Sequence, residues 1–230
     1  GLSDELTVNS PGNVYHYFEF DFSGNMSSIS IAPTTGTIYC MGIWIDGKQL
    51  VDTAPSTPSI ASTVRANPTA GFSIVQYTGT MSSGDTVGHG LNHAPSVLLI
   101  KNTATSGTPW QMYHTVGGNS WSIEPNDGAQ PNTSSSNWYS TDPTSSVFTL
   151  GGNANVNASA TNSMIAYCFA PVEGFSSFGG FEGNSSADGP FIYTGFKPAF
   201  LIIKGYDGNH YWAMHDDARD PTNTGDKQYL

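Results

Sequence analysis

Charge is scarce in this sequence. Only 11% of its 230 residues are Asp, Glu, Lys or Arg, against roughly a quarter in ordinary globular chains. Lys and Arg together number seven against 18 acidic residues, giving a net charge of -11. Gripping a phosphate backbone takes clustered cations, so neither nucleic acid nor an anionic membrane surface is expected as a partner. Cysteine is equally sparse. Cys40 and Cys168 both lie in apolar, strand-like runs; two buried free thiols are expected, with a single disulfide as the alternative. No apolar run approaches the ~20 residues of a membrane-spanning helix, so membrane insertion is not expected. No signal-peptide pattern opens the chain, which starts at Gly1. A helical period with caps is missing throughout.

What is abundant is Ser, Thr, Asn and Gly. Short polar side chains compete for backbone hydrogen bonds and favour turns and strands over helices. The strand periodicity is clear at Tyr15-His16-Tyr17-Phe18-Glu19-Phe20-Asp21-Phe22, where His16, Phe18, Phe20 and Phe22 share one face. Gly42-Ile43-Trp44-Ile45 and Lys48-Gln49-Leu50-Val51 flank Asp46-Gly47. Asp-Gly between strand-like runs predicts a hairpin, because a type I′ turn needs positive φ at both central positions. Pro55, Pro58 and Pro68 among small residues make 52–70 read as a linker behind an N-terminal β segment over 1–51.

An internal repeat follows. Gly71-Phe72-Ser73 returns as Gly174-Phe175-Ser176, Ser82-Ser83-Gly84-Asp85 as Ser185-Ser186-Ala187-Asp188, and Pro95 to Lys101 as Pro198 to Lys204. All three share an offset of 103, and ten of the 31 positions over 71–101 are identical, well above the roughly 6–8% expected by chance. Trp110-Gln111-Met112 answers Trp212-Ala213-Met214 at offset 102. The expected fold is all-β with almost no helix: antiparallel, jelly-roll-like β-sandwich units in tandem, a first copy over 71–173 and an incomplete second over 174–230. Val97-Leu98-Leu99-Ile100 and Phe200-Leu201-Ile202-Ile203 are unbroken apolar runs that predict strands covered on both faces. Trp110 to His114 and Tyr211 to His215 are their expected pairing partners, with Trp110 and Trp212 in each copy's core. The segment 125–146 reads as a surface loop, and 151–157 as a turn or exposed loop.

Little in the sequence carries chemistry. His89 and His93 are four apart, but two glycines and a proline keep that segment from the helix a zinc pair would need. The acidic run Asp216-Asp217-Ala218-Arg219-Asp220 lacks the spacing of a calcium loop. No nucleophile elbow, phosphate loop or marked carboxylate pair is present. The sequence therefore assigns no catalytic residue, no metal ligands and no cofactor, and an enzyme is not expected. Trp121, Trp138 and Tyr139 stand among Asn and Ser in loop-rich surroundings; they are the candidate ligand-binding residues, suited to stacking on sugar rings. The Asn-x-Ser/Thr triplets at Asn25, Asn132, Asn157 and Asn184 match chance for this composition.

Val64-Arg65-Ala66-Asn67-Pro68-Thr69-Ala70-Gly71-Phe72-Ser73-Ile74-Val75, Tyr77-Thr78-Gly79 and Thr86-Val87-Gly88-His89-Gly90-Leu91 resemble the start of a repeat domain of tailed-bacteriophage structural and appendage proteins, mainly from aquatic phages. Ala166 to Ala170 with Glu173 to Ser176, Ala187 to Phe196, and Asp216 to Pro221 resemble its later parts; the likeness spans about 64–221 and departs at His93 and Asp217. The resemblance implies a non-enzymatic virion protein, such as a tail fibre or appendage component, assembled in the host cytoplasm and exposed on the particle. Its implied partners are other virion proteins, copies of itself (a trimer among the options) and a host-surface glycan. The alternatives are a carbohydrate-binding module of a surface or secreted protein and a capsid decoration protein. Since copy 2 stops short of a full repeat, the chain is expected to be a central piece of a longer protein, or the family's two-part unit is cut short here.

Overall fold

A computed structural model of the chain describes residues 57–133 and 136–218, together with the backbone of three short strands at 43–45, 48–50 and 228–229. The chain divides into two compact units, Gly1–Asp52 and Thr53–Leu230.

In the first unit, β1 (Ile43–Ile45) pairs antiparallel with β2 (Lys48–Leu50), and Ile45 faces Lys48. That register leaves a two-residue connection, as the Asp-Gly pair predicts. The Tyr15–Phe22 alternation and Cys40 lie outside the described residues.

The second unit is built on a five-stranded antiparallel sheet: β3 (Ser62–Asn67), β4 (Phe72–Thr78), β6 (Val97–Asn102), β7 (Gln111–His114) and β11 (Ser163–Phe169). Its spatial order is β3-β4-β11-β6-β7. Strict alternation makes it two-faced. Ser73, Val75 and Tyr77 of β4, Met164, Ala166 and Cys168 of β11, and Leu98, Ile100 and Asn102 of β6 all point inward and are buried. The second layer is a short antiparallel pair, β5 (Thr86–Gly88) with β10 (Val147–Thr149), and a further short pair joins β8 (Trp121–Ser122) to β9 (Asn132–Thr133). Ile60, Leu91, Trp138, Leu150, Val156 and Ala158 complete the core. Tyr77 meets Phe148 edge-on at 6.1 Å, and Tyr113 meets Trp138 edge-on at 5.7 Å. Cys168 is a free, buried thiol beside Ser73, pushed up to about 12 mainly by burial.

Among the described residues the only helical turns are two single 3-10 turns, Pro68–Ala70 and Gly118–Ser120. The first replaces part of the expected linker. Thr63 and Val64 are β-branched and place Ser62–Asn67 on the sheet edge, where no proline interrupts them. Pro68 then starts the turn, Asn67 Oδ1 accepts from the Ala70 N–H at 3.1 Å, and Gly71 at φ 64 redirects the chain into β4. Linker character over 52–70 is thus overturned for 62–70.

The repeat shows itself in one place. β12 (Phe200–Ile203) and β13 (Ala213–Asp216) form a hairpin in which Ile202 faces Met214, as Leu99 faces Met112 between β6 and β7. With β14 (Gln228–Tyr229) it makes a three-stranded sheet in the order β12-β13-β14. Elsewhere copy 2 departs from copy 1: residues 177–198 carry no strand where β4 and β5 stand in the first copy. Nor is β12 covered as its sequence predicts; Phe200, Leu201 and Ile202 are exposed. Trp212 is buried, but against Val97, Met112 and Ile123 on the outer face of the five-stranded sheet rather than in a core of its own. Further ties hold the hairpin there. Lys204 Nζ donates to the Gly128 carbonyl at 2.8 Å, and the Gln130 N–H donates to Asn209 Oδ1 at 3.1 Å.

Candidate functional site

Three chain segments converge at one end of the second layer: residues 81–84, 136–140 and 151–152. Asn137 and Trp138 fix the middle one from below. The Asn137 amide donates to Gln111 Oε1 at 2.8 Å and also to Ser122 Oγ. The Trp138 indole N–H donates to the Trp121 carbonyl at 2.7 Å while its ring sits in the core. With two consecutive side chains anchored inward, the next two residues adopt left-handed backbone, Tyr139 and Ser140 both at φ 49. For a non-glycine residue that conformation costs about 1–2 kcal/mol each, and strain of this kind gathers at ligand and switch sites. Its effect is to turn the Tyr139 ring outward along Gly84, where a Cβ would lie 3.1 Å from the ring edge. Tyr139 stays 52% exposed.

The third segment closes on the second through a close approach that only glycine permits. A Cβ on Gly151 would stand 1.8 Å from the Ser136 carbonyl oxygen, and the Gly151 N–H donates to the Asn137 carbonyl at 2.7 Å. Asn157, fully buried, ties the remaining pieces together. Its Oδ1 accepts from the N–H groups of Thr80 (2.7 Å) and Met81 (3.2 Å), and its Nδ2 donates to the carbonyls of Ser82 (2.9 Å) and Gly151 (3.1 Å). The result is a shallow cleft of about 490 Å³ lined by Ser83, Ser136, Tyr139, Ser140, Gly151 and Gly152. No carboxylate, imidazole, thiol or cation is among these residues. The hydroxyls of Ser83, Tyr139 and Ser140 make no hydrogen bond with the described residues. Such a lining can hold a neutral polar ligand; it offers no acid, base or nucleophile pair for catalysis.

Of the three aromatic residues singled out in the sequence, only Tyr139 lines the cleft. Trp138 is 1% exposed and serves as a core anchor, so its place as an outward contact is corrected. Trp121 is half-buried, its ring 5.1 Å from that of Tyr206, with Gly117 packed against it. The described part of 125–146 is mostly irregular and exposed, as expected, but Asn137 and Trp138 within it are buried; 151–157 forms a turn with Val156 and Asn157 buried. The Asn157 side chain, undistinguished in the sequence, ties the cleft floor. Ser83, Ser140, Gly151 and Gly152 escaped notice because Ser and Gly occur everywhere in this composition. Only the adjacent Gly151-Gly152 after a strand signalled a close approach.

A second feature lies on the outer face of the five-stranded sheet. Trp110, expected in the core, instead stacks on Tyr167 at 6.0 Å. Phe72 stacks on Tyr167 at 6.3 Å and packs on Phe169 at 4.9 Å. These rings are half-buried and continue into the patch covered by Trp212 and Phe178.

His89 is committed to hydrogen bonds within the fold. The Leu91 N–H donates to His89 Nδ1 at 3.2 Å, which leaves Nε2 as the protonated nitrogen donating to the Thr144 carbonyl at 3.1 Å. Burial holds this imidazole below its ordinary pKa, with the Thr144 hydrogen bond opposing. His93 is exposed, and no group of three metal-binding side chains gathers among the described residues. Asp216 Oδ1 accepts from the Ala218 N–H at 3.1 Å, an ordinary turn-closing bond, while Arg219 and Asp220 lie outside the described residues.

Fold and site together define an all-β, antiparallel module that presents a neutral, hydroxyl-lined cleft. The chain belongs to the family described as a domain of unknown function (DUF7483), whose model matches residues 19–230. No curated protein and no solved structure matches it.

Proposed function

We propose that this chain is a non-enzymatic structural protein of a tailed-phage virion, a fibre or appendage component that takes part in host-surface attachment. The observation that carries the proposal is where its exposed apolar side chains fall. Phe175, Phe181, Phe191, Ile192, Tyr193, Phe200, Leu201, Ile202 and Tyr211 are all exposed, Phe191 by 92% and Tyr193 by 83%. Apolar surface gathered in one stretch of chain is typical of an assembly interface rather than of a lone soluble domain. β12 adds to it as the outer strand of its sheet, with one row of backbone groups unpaired among the described strands. Copies of the chain or neighbouring virion proteins are the natural cover for such a surface. The low charge, the acidic balance and the likeness of 64–221 to phage appendage repeats support the same reading.

The test is immunogold labelling of purified particles with an antibody raised against the chain. Labelling at a fixed position on the particle surface is expected. A chain found in infected cells and missing from purified particles would overturn the proposal. The cleft favours a second reading, a carbohydrate-binding module of a surface or secreted protein, and the same labelling separates the two.

A further inference from the structure

We infer that the Tyr139 cleft is a saccharide subsite, taking one neutral pyranose unit of a surface glycan. The inference rests on the attachment role proposed above and gives it a ligand class and a location.

The first argument is chemical. A sugar ring presents C–H groups on its faces and hydroxyls around its rim, so its receptor needs an open aromatic side chain beside uncommitted hydroxyls. Tyr139 supplies the ring, half exposed and backed by Gly84. Ser83 and Ser140 supply hydroxyls that no described residue uses, Tyr139 adds its own, and Ser136 completes the rim. Gly151 and Gly152 bring bare backbone to the floor. The volume of about 490 Å³ falls within the roughly 300–1,000 Å³ range of small-ligand sites. Its shallow form suits one unit of a chain that continues past the site.

The second argument is electrostatic. Phosphorylated, carboxylated or sulfated ligands need a cation, and the lining has none on a chain of net charge -11. A cationic ligand would need a carboxylate, equally absent from the lining. Neutral sugars remain.

The third argument is conformational. Met81, Tyr139 and Ser140 all have positive φ, at 62, 49 and 49, and all three belong to the segments that meet at the cleft. Asn is the side chain that best tolerates this region apart from glycine, yet Tyr stands at 139. A bulky aromatic residue kept in left-handed backbone, with its ring turned outward, is better explained by a ligand than by packing.

The test is a titration of the isotope-labelled full chain with glucose, galactose, mannose and N-acetylglucosamine, followed by amide chemical shifts. At least one sugar is expected to shift Ser83, Tyr139, Ser140, Gly151 and Gly152 saturably. Tyr139→Asn relieves the backbone strain and removes the ring. It should therefore fold at least as well as the parent and bind at least 10-fold more weakly. Ser83→Leu, which fills the cleft from another wall, should weaken binding similarly. The inference is overturned if none of the four sugars moves these amides, if Tyr139→Asn binds like the parent, or if the shifts centre on Trp110 and Tyr167. Labelled particles without sugar binding would remove the cleft assignment alone. Sugar binding by a chain missing from particles would remove the virion role alone.

Discussion

His89 shows how a single side chain can be well chosen for its place and still limit the conditions under which the fold survives. Its ring is buried and both nitrogens are committed, one accepting from Leu91 and one donating to Thr144. The neutral form fits this site and the doubly protonated form does not, since Nδ1 would then have to donate toward an N–H group. Its folded pKa lies below the ordinary 6.5, so the stability it contributes is complete above about pH 6.5. That stability is lost as pH falls through the folded value. Burial lowers the His114 pKa too, so it acts in the same sense. We expect the melting temperature of the parent to fall between pH 7 and pH 5 more steeply than that of His89→Gln, which cannot titrate. Parallel curves for the two proteins would assign the acid sensitivity elsewhere. The spacing of His89 and His93 was visible in the sequence; the hydrogen bonds that explain His89 come from residues 55 positions away in one case and could not be.

At the scale of elements, legibility follows the range of the interaction. The β1–β2 hairpin is written in two adjacent residues, and β4 and β11 are written in alternation, because Phe72–Thr78 and Ser163–Phe169 each bury every second side chain. The partner strands of the two hairpins were legible too, and the structure adds their register, Leu99 with Met112 and Ile202 with Met214. Illegible were the parts whose conformation is set from a distance. Residues 151–157 look like a polar loop, yet Asn157 satisfies backbone groups in the 80–82 segment and so must be buried. Trp138 sits in a run of serines and threonines and reads as exposed, but the Trp121 carbonyl and the Tyr113 ring draw it into the core. Asn157→Ala is therefore expected to cost roughly 1–3 kcal/mol in urea unfolding, because it strands buried backbone donors and acceptors. The cleft amides should broaden or shift in the same variant. A change within ±0.5 kcal/mol, the range of ordinary surface substitutions, would show that the floor is held by other means.

For the whole molecule, the division of labour along the second unit matters most. Residues 57–173 supply the closed core and the cleft. The segment 200–216 supplies a hairpin fastened at Trp212, Tyr206 and Lys204, with its own apolar side chains turned out. If that surface serves assembly, Ile202→Lys should abolish self-association in sedimentation while leaving the melting temperature of the dissociated chain nearly unchanged, since Ile202 is already 50% exposed. Unaltered sedimentation of the variant would exclude β12 as the contact.

The order of the main sheet has a consequence for how the protein is made. β11 lies between β4 and β6, although it follows both in the chain. On a ribosome adding roughly 5–20 residues per second, the 67 residues from the end of β6 at Asn102 to the end of β11 at Phe169 take about 3–13 s to appear. Throughout that interval the nascent sheet has a vacancy at its centre, open to any strand of similar pattern on a neighbouring nascent chain. Crowded synthesis thus favours exchange of this strand between molecules, and dilution or slowed translation initiation favours chains that fill the vacancy with their own β11.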